Sequence, residues 1–340
     1  MEKNLTWCNA ETLAVGGKGW MDTKRFFDRL PAKAEGMIRG EVWDLSRQSA
    51  GIRVGFRTNS PTLGLRWILL LEQLIRPMMC GIGASGLDLY CRDETGRWRW
   101  VMVGHPTQRD NEALPISNIP AKPRDYLLYL PLRNGVEILE IGITPDSSLE
   151  AKPAFTGKPI VYYGTSIVHG EGASRPGMCH AAILGRRLDV PVINLGFAGA
   201  GTLDLPIAEL MAELDARLYI VDCLPNLLAP QVTERCEPFI RQLRAARPNT
   251  PIMLVEDRTS PGAWLNGMDR HIAGRKALRE AYDRLRVGGV PNLFYMTGDG
   301  LLGDDDEATV DSSHPSDLGY VRYADAMEPV IRSILREQKP

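Results

Sequence analysis

Four short stretches in the second half of the chain hold residue types able to act together. Ser166 stands in Gly164-Thr165-Ser166-Ile167-Val168-His169-Gly170, just behind the apolar run Pro159–Tyr163. A serine at such a tight strand-to-loop turn is held where its hydroxyl can face a ligand. Behind the next apolar run comes NLGFAGAG, Asn194 to Gly201, whose small residues let backbone N–H groups point at a bound group. The third run is followed by DCLPN, in which Asn226 offers an amide side chain. The last stretch is DSSHP, Asp311 to Pro315, where Asp-x-x-His sets a carboxylate about one turn from an imidazole. That spacing can fix the imidazole tautomer and stabilise an imidazolium. Two other motifs are excluded. The α/β-hydrolase elbow needs glycine where Val168 stands, and a dinucleotide fingerprint through Gly170 and Gly172 needs glycine at Arg175.

Elements able to position these residues follow from the rhythm of the chain. From Pro159 onward, strands alternate with helices. Pro159–Tyr163, Pro191–Leu195, Leu218–Cys223, Ile252–Val255 and Leu293–Met296 are strands. Met178–Leu188, Leu203–Leu214, Gln231–Ala246, Met268–Leu285 and Ser316–Leu335 have helical periodicity. This alternation predicts a parallel, doubly wound sheet, which binds ligands beyond the carboxyl ends of its strands. The four stretches all fall there.

The first half reads as all-β. Strands are expected at Gly36–Leu45, Gly51–Arg57, Thr62–Leu71, Leu87–Arg92, Arg97–Val103, Tyr126–Leu132 and Glu137–Ile143, with turn signals between them. They suggest a sandwich or jelly roll. Trp98 and Trp100 share one face, read as sandwich core rather than as a sugar-stacking platform. The two domains are expected at 1–150 and 151–340, joined by a Pro-, Ser- and Lys-rich linker over Pro145–Lys158.

With these blocks in order, the chain resembles the SGNH (GDSL-like) hydrolase superfamily. The resemblance implies Ser166 as nucleophile, His314 as its base and Asp311 as the group orienting His314. It implies an oxyanion hole from the backbone N–H groups of Ser166 and Gly199 and the amide of Asn226. The segment Ser85–Trp100, SGLDLYCRDETGRWRW, is similar to the GxDLY segment of the β-sandwich that precedes the hydrolase in one subgroup. The expected fold is therefore α/β: an N-terminal jelly-roll-like β-sandwich, then a flavodoxin-like three-layer αβα domain with a five-stranded parallel sheet. Two departures stand out. Thr165 replaces the aspartate of the GDS form, and Leu224-Pro225-Asn226-Leu227 stands where the third block usually reads Gly-x-Asn-Asp.

Members of this subgroup resemble carbohydrate acetylesterases, so the implied activity is hydrolysis of short acyl esters on carbohydrates through an acyl-enzyme. The alternatives are a general short-chain esterase or lysophospholipase-like lipase and, from another class, a catalytically silent carbohydrate-binding protein. No cofactor or metal is expected. Cys8, Cys80, Cys91, Cys179, Cys223 and Cys236 have neither CxxC pairing nor regular spacing. Asp304-Asp305-Asp306-Glu307 lacks calcium-loop spacing and reads as a solvated loop.

A net charge of −2 without a basic block argues against nucleic-acid partners. No apolar run is long enough to span a membrane. The first residues lack a secretory pattern, so the chain as given reads as cytoplasmic; a shortened secreted chain would read the same. The expected partner is a small-molecule or oligosaccharide ester, and the sequence leaves the oligomeric state open. His105, His169, His180 and His271 read as structural or exposed, Ser174 as a helix cap and Arg175 as a surface ion-pair partner. Glu256 and Asp257 read as anchors of their loop. A fluorophosphonate probe is expected to label Ser166 in the native protein; mass mapping checks this, and labelling that persists in Ser166→Ala would overturn it.

Overall fold

The structure, a computed structural model, describes residues 4–336. It divides into two compact units. Among the described residues, one comprises 4–32, 46–156 and 173–177; the other comprises 33–45, 157–172 and 178–336.

The first unit is built from two antiparallel sheets. One runs Thr6–Asn9, Val136–Ile143, Leu63–Leu69, Asp110–Ile116 from edge to edge. The other runs Leu149–Ala151, Arg53–Thr58, Arg124–Tyr129, Leu87–Arg92, Trp98–Gly104, with Ala14–Gly16 also pairing with Arg53–Thr58. Alternate residues from both sheets fill one core, including Val54, Phe56, Leu65, Trp67, Leu128 and Ile141.

Three expectations are corrected here. Gly36–Leu45 is not a strand: Gly40–Ser46 is a helix. Its buried residues Val42, Trp43 and Ser46 and exposed Glu41 and Asp44 follow a period near 3.6 rather than 2. The proposed linker contains the strand Leu149–Ala151, paired with Phe56–Thr58. Trp98 and Trp100 lie outside the core; Trp100 is 51% exposed, while Val101, from the opposite face of that strand, packs on the core.

The second unit has the expected parallel sheet, in the order Val192–Gly196, Ile160–Gly164, Leu218–Asp222, Ile252–Val255, Leu293–Met296. The first three strands in sequence are buried throughout, as both faces of a parallel sheet require. The first strand lies between the second and third, so the strand order reverses on either side of it. The loops after the first and third strands therefore flank the crevice where doubly wound sheets bind ligands. Helices follow at His180–Leu188, Leu205–Glu213, Ala229–Ala246, Asp269–Val287 and Asp317–Arg336. No helix among the described residues is long and apolar enough to cross a membrane.

A polar chain runs through the interior of this unit. Tyr162 Oη donates to Asp222 Oδ2 at 3.0 Å and lies 2.8 Å from His180 Nε2. His180 is fully buried, stacks on Tyr320 and has its pKa lowered to about 3 by burial, so it is neutral and offers Nε2–H to Tyr162. Burial pushes the Asp222 carboxyl up to about 7, partly offset by the bond from Tyr162. Its Oδ1 has no hydrogen-bond partner among the described residues.

The sign of the resulting pH effect is fixed. The unfolded chain releases this proton near about 3.9, and the folded chain keeps it until about 7. The folded state binds more protons in that window, so Asp222 makes stability fall as pH rises from about 4 to about 7, and its full cost stands above that. Asp222→Asn mimics the neutral acid. Its melting temperature relative to the wild type is expected to climb between about pH 5 and about pH 7 and to level off above that, measured by calorimetry; a pH-independent difference would contradict this.

Candidate active site

The nucleophile turn is shaped by the end of the first strand. Ser166 opens the helical turn Ser166–His169, whose N-cap is Thr165; the Thr165 hydroxyl accepts from Ile167 N–H at 3.3 Å. Threonine thus performs a capping task that an aspartate could also perform. Gly170, at φ 104°, ends the turn. The outgoing carbonyls are tied down from two sides. Asn194 Nδ2 donates to Val168 O at 2.7 Å, and Tyr320 Oη lies 2.7 Å from Glu171 O and 3.1 Å from Ile167 O.

The Asp-x-x-His stretch forms a tight loop before the last helix. Val310 N–H donates to His314 O at 2.9 Å, and Ser316 N–H to Ala308 O at 2.9 Å. Asp311 Oδ1 accepts from the backbone N–H groups of Ser313 at 3.0 Å and His314 at 2.7 Å, leaving Oδ2 for the ring. His314 Nδ1 lies 2.7 Å from Asp311 Oδ2, and Nε2 lies 2.9 Å from Ser166 Oγ. Burial opposes ionisation of Asp311, but the backbone and ring of His314 outweigh it and hold the carboxyl below its ordinary range. An ionised Asp311 makes Nδ1 the protonated nitrogen, which leaves Nε2 as the acceptor facing the Ser166 hydroxyl. The arrangement can remove a proton from Ser166 and return it elsewhere.

The two loops touch through a glycine. Gly172 has φ 92°, and a Cβ there would stand 2.5 Å from the carbonyl of Pro315, the residue after His314. No side chain fits without moving one loop off the other.

The remaining predicted donors lie on neighbouring loops. Gly199 is exposed at φ 71°, with nothing within 4 Å of where a Cβ would be. Gly201 packs so closely that a Cβ would fall 2.0 Å from Gly164 O and 3.3 Å from Thr165 N. Asn226 Nδ2 donates to Gly201 O at 3.3 Å, linking the amide through Gly201 to the strand end that carries Ser166. Pro225 sits inside the 3₁₀ turn Leu224–Asn226, where a missing N–H costs little. The structure thus brings Ser166, His314 and Asp311 into one hydrogen-bonded line and sets the Gly199 and Asn226 loops beside the same strand end.

Other residues have different work. Arg175 is no surface ion-pair partner: within the first unit its Nη1 is 2.8 Å from Asp88 Oδ2, and Asp88, fully buried, also accepts from Gly177 N–H and Trp100 Nε1. The Asp of the GxDLY segment therefore holds the stretch Ala173–Gly177. Glu256 and Asp257 anchor their loop: Glu256 accepts from Tyr295 Oη and Gly298 N–H, and Asp257 pairs with Arg258 and lies 3.0 Å from His271 Nδ1. Arg258, unnoticed in the sequence, is 4% exposed and donates to Ser313. Its signal was a charged run, Glu-Asp-Arg, directly behind a buried strand. His105 is exposed. Among the described residues no group of three or more His, Cys, Asp or Glu side chains is placed to hold a metal ion.

Comparison with known proteins places this geometry in context. Residues 157–332 match the GDSL-like lipase/acylhydrolase family, and residues 5–149 match the N-terminus of SGNH-hydrolase-type esterases. A solved structure from Bacteroides ovatus, described as a GDSL-like lipase, is 33% identical, with a TM-score of 0.94 over 98% of both chains. Salicylyl-acyltransferase SsfX3 from a tetracycline biosynthetic pathway is 20% identical, TM-score 0.79, over 97% of both. An acetyl xylan esterase of Butyrivibrio proteoclasticus is 11% identical, TM-score 0.62, over 98% of this chain and 100% of that one. The last two show likeness of fold alone. No curated protein matches the chain.

Gly172→Ala is expected to push the histidine loop away from Ser166. A displacement near 1 Å costs on the order of 10²-fold in turnover, so kcat on nitrophenyl acetate should fall by about that factor. Unchanged kcat would show that the loops are not held in register by this contact.

Proposed function

We propose that this chain, which belongs to the GDSL-like lipase/acylhydrolase family, hydrolyses short acyl esters, acetyl foremost, carried on carbohydrates. One observation carries the catalytic part: the line Ser166–His314–Asp311, with contacts of 2.9 and 2.7 Å. His314 Nε2 takes the Ser166 proton as Oγ attacks the ester carbonyl, and Asp311 steadies the imidazolium through Nδ1–H. The N–H groups of Ser166 and Gly199 and the Asn226 amide receive the oxyanion, often the largest electrostatic contribution in acyl transfer. His314 then protonates the departing alcohol, and water repeats the sequence on the acyl-enzyme.

The short-acyl preference is supported by the loops after the first two strands. Gly170-Glu171-Gly172 and Gly199-Ala200-Gly201 are compact, and Gly201 and Gly172 are packed backbone to backbone against their neighbours. The carbohydrate part is supported by the two-part fold shared with the acetyl xylan esterase, which makes an acetylated xylo-oligosaccharide the first substrate to try.

A second reading has its own observation. The loop after the fourth strand carries the most exposed apolar side chains at this edge among the described residues: its short helix Ala263–Asn266 exposes Trp264 by 79% and Leu265 by 72%. Gly262, at the start of that helix, approaches the histidine loop; a Cβ there would lie 3.4 Å from Ser312 Oγ. Exposed apolar groups at that edge suit a longer acyl chain or an apolar alcohol.

A nitrophenyl ester series from acetyl to palmitoyl, run beside acetylated xylo-oligosaccharide, separates the two. Each methylene bound in a fitting channel adds about 0.8 kcal/mol, so a lipase would improve steeply with length. The expected outcome is kcat/KM highest at acetyl, falling beyond butyryl, with acetate released from the sugar and little change in Trp264→Ala. A maximum at octanoyl or longer that collapses in Trp264→Ala, with no acetate from the sugar, would establish the lipase. Absence of turnover on every ester would leave a binding protein.

A further inference from the structure

The ring of His314 can serve Ser166 only if the backbone that carries it is fixed, and that backbone is under strain. Ser312, two residues before, has φ 66°, the left-handed region that is unfavourable for a residue with a side chain. A loop holding such a residue relaxes unless its surroundings over-determine it. The peptide unit between Ser313 and His314 is gripped at both ends. Its N–H is taken by Asp311 Oδ1 at 2.7 Å. Its carbonyl, Ser313 O, accepts from Arg258 Nε at 3.2 Å and Nη2 at 3.0 Å, and Nη2 also reaches Ser313 Oγ at 2.7 Å. Two opposed holds on one rigid plane remove its freedom to rotate, and with it the freedom of the His314 Cα–Cβ bond to swing.

Arg258 is itself immobile. Its Nη1 pairs with Asp257 Oδ1, and Asp257 Oδ2 lies 3.0 Å from His271 Nδ1. The main-chain carbonyl of Asp257 accepts from Arg275 Nε at 3.1 Å and Nη2 at 2.8 Å. A buried cation, 4% exposed, is costly unless it has such partners, and the planar fork of arginine is the group that can bind a carboxylate on one side and a carbonyl on the other.

We propose that Arg258 is the positioning residue for His314: by holding the Ser313 carbonyl it sets the angle at which Nε2 meets the Ser166 hydroxyl. Arg258 acts through Ser313 and Asp257, its hydrogen-bond partners, rather than on Ser166 or the His314 ring. The proposal rests on the esterase reading above, and the order of measurement keeps the two apart. Wild-type protein is first tested for fluorophosphonate labelling at Ser166 and for turnover of nitrophenyl acetate; failure of both sinks the esterase reading, before any Arg258 variant is considered.

With an active wild type in hand, Arg258→Lys and Arg258→Ala are compared by kcat, KM and labelling rate. Lysine keeps the charge but has no fork. The expected result is a kcat lower by about 10- to 100-fold in both variants, KM within about twofold, and a labelling rate reduced in step with kcat. Added methylguanidinium should restore several-fold of the lost kcat in Arg258→Ala and none in Ser166→Ala. The proposal is overturned if Arg258→Lys keeps wild-type kcat, and that result is decisive even where Arg258→Ala does not fold. It is equally overturned if kcat falls only together with melting temperature and KM, with no response to methylguanidinium, because that pattern belongs to general loosening of the fold.

Discussion

A contact of 2.9 Å joins Ser166 to His314 across 148 residues of chain, and most of the second unit can be understood as the means of holding it. Hydrogen bonds between side chains weaken within a few tenths of an ångström of stretch and fail with misalignment. Neither residue sits inside a long regular element: Ser166 opens a four-residue helical turn and His314 belongs to a loop. The precision must come from what ties the two loops to the sheet and to one another. Gly172 lets backbone meet backbone at Pro315, Tyr320 on the last helix reaches the carbonyls of the serine turn, and Asn194 catches the carbonyl of Val168. The last helix thus follows the histidine loop in sequence and secures the serine loop in space.

The same device recurs at the next loop. Arg39 Nη2 donates to Ala200 O at 2.7 Å and to Thr202 Oγ1 at 2.9 Å, gripping the loop of Gly199 much as Arg258 grips that of His314. Each guanidinium is itself held by a carboxylate, Asp204 for Arg39 and Asp257 for Arg258. Irregular backbone has spare carbonyls because no ladder uses them, and arginine is the side chain able to bind several at fixed angles. The site is rigid through main-chain oxygens held by charged forks, not through apolar packing alone.

How much of this was legible depended on which force dominates at each place. The strands of the parallel sheet were legible because burial on both faces turns them into unbroken apolar runs such as Ile160–Tyr163. Ser166, Asp311 and His314, which the structure joins by hydrogen bonds, were legible as residue types in the right loops. The helix Gly40–Ser46 was missed because Val42 and Trp43 favour strands intrinsically, and only packing selects the helical stripe. The strand Asp110–Ile116 was missed because Asp, Asn and Pro disguise it. Trp98 and Trp100 misled, since alternation names a shared face without saying which face is inward. The buried carboxyl of Asp222 and the grip of Arg258 on Ser313 depend on partners 60 and 55 residues away, and no local pattern encodes those meetings.

The two compact units are not two consecutive lengths of chain. Residues 33–45, which carry Arg39, pack with the second unit, and residues 173–177, held by Asp88, pack with the first. The family matches end at 149 and begin at 157, and a cut there would leave each piece without a strip that packs with it. A hydrolase portion grafted onto another partner would arrive without the arginine on its glycine loop, and the sandwich left behind would keep a buried aspartate with no cation to answer it.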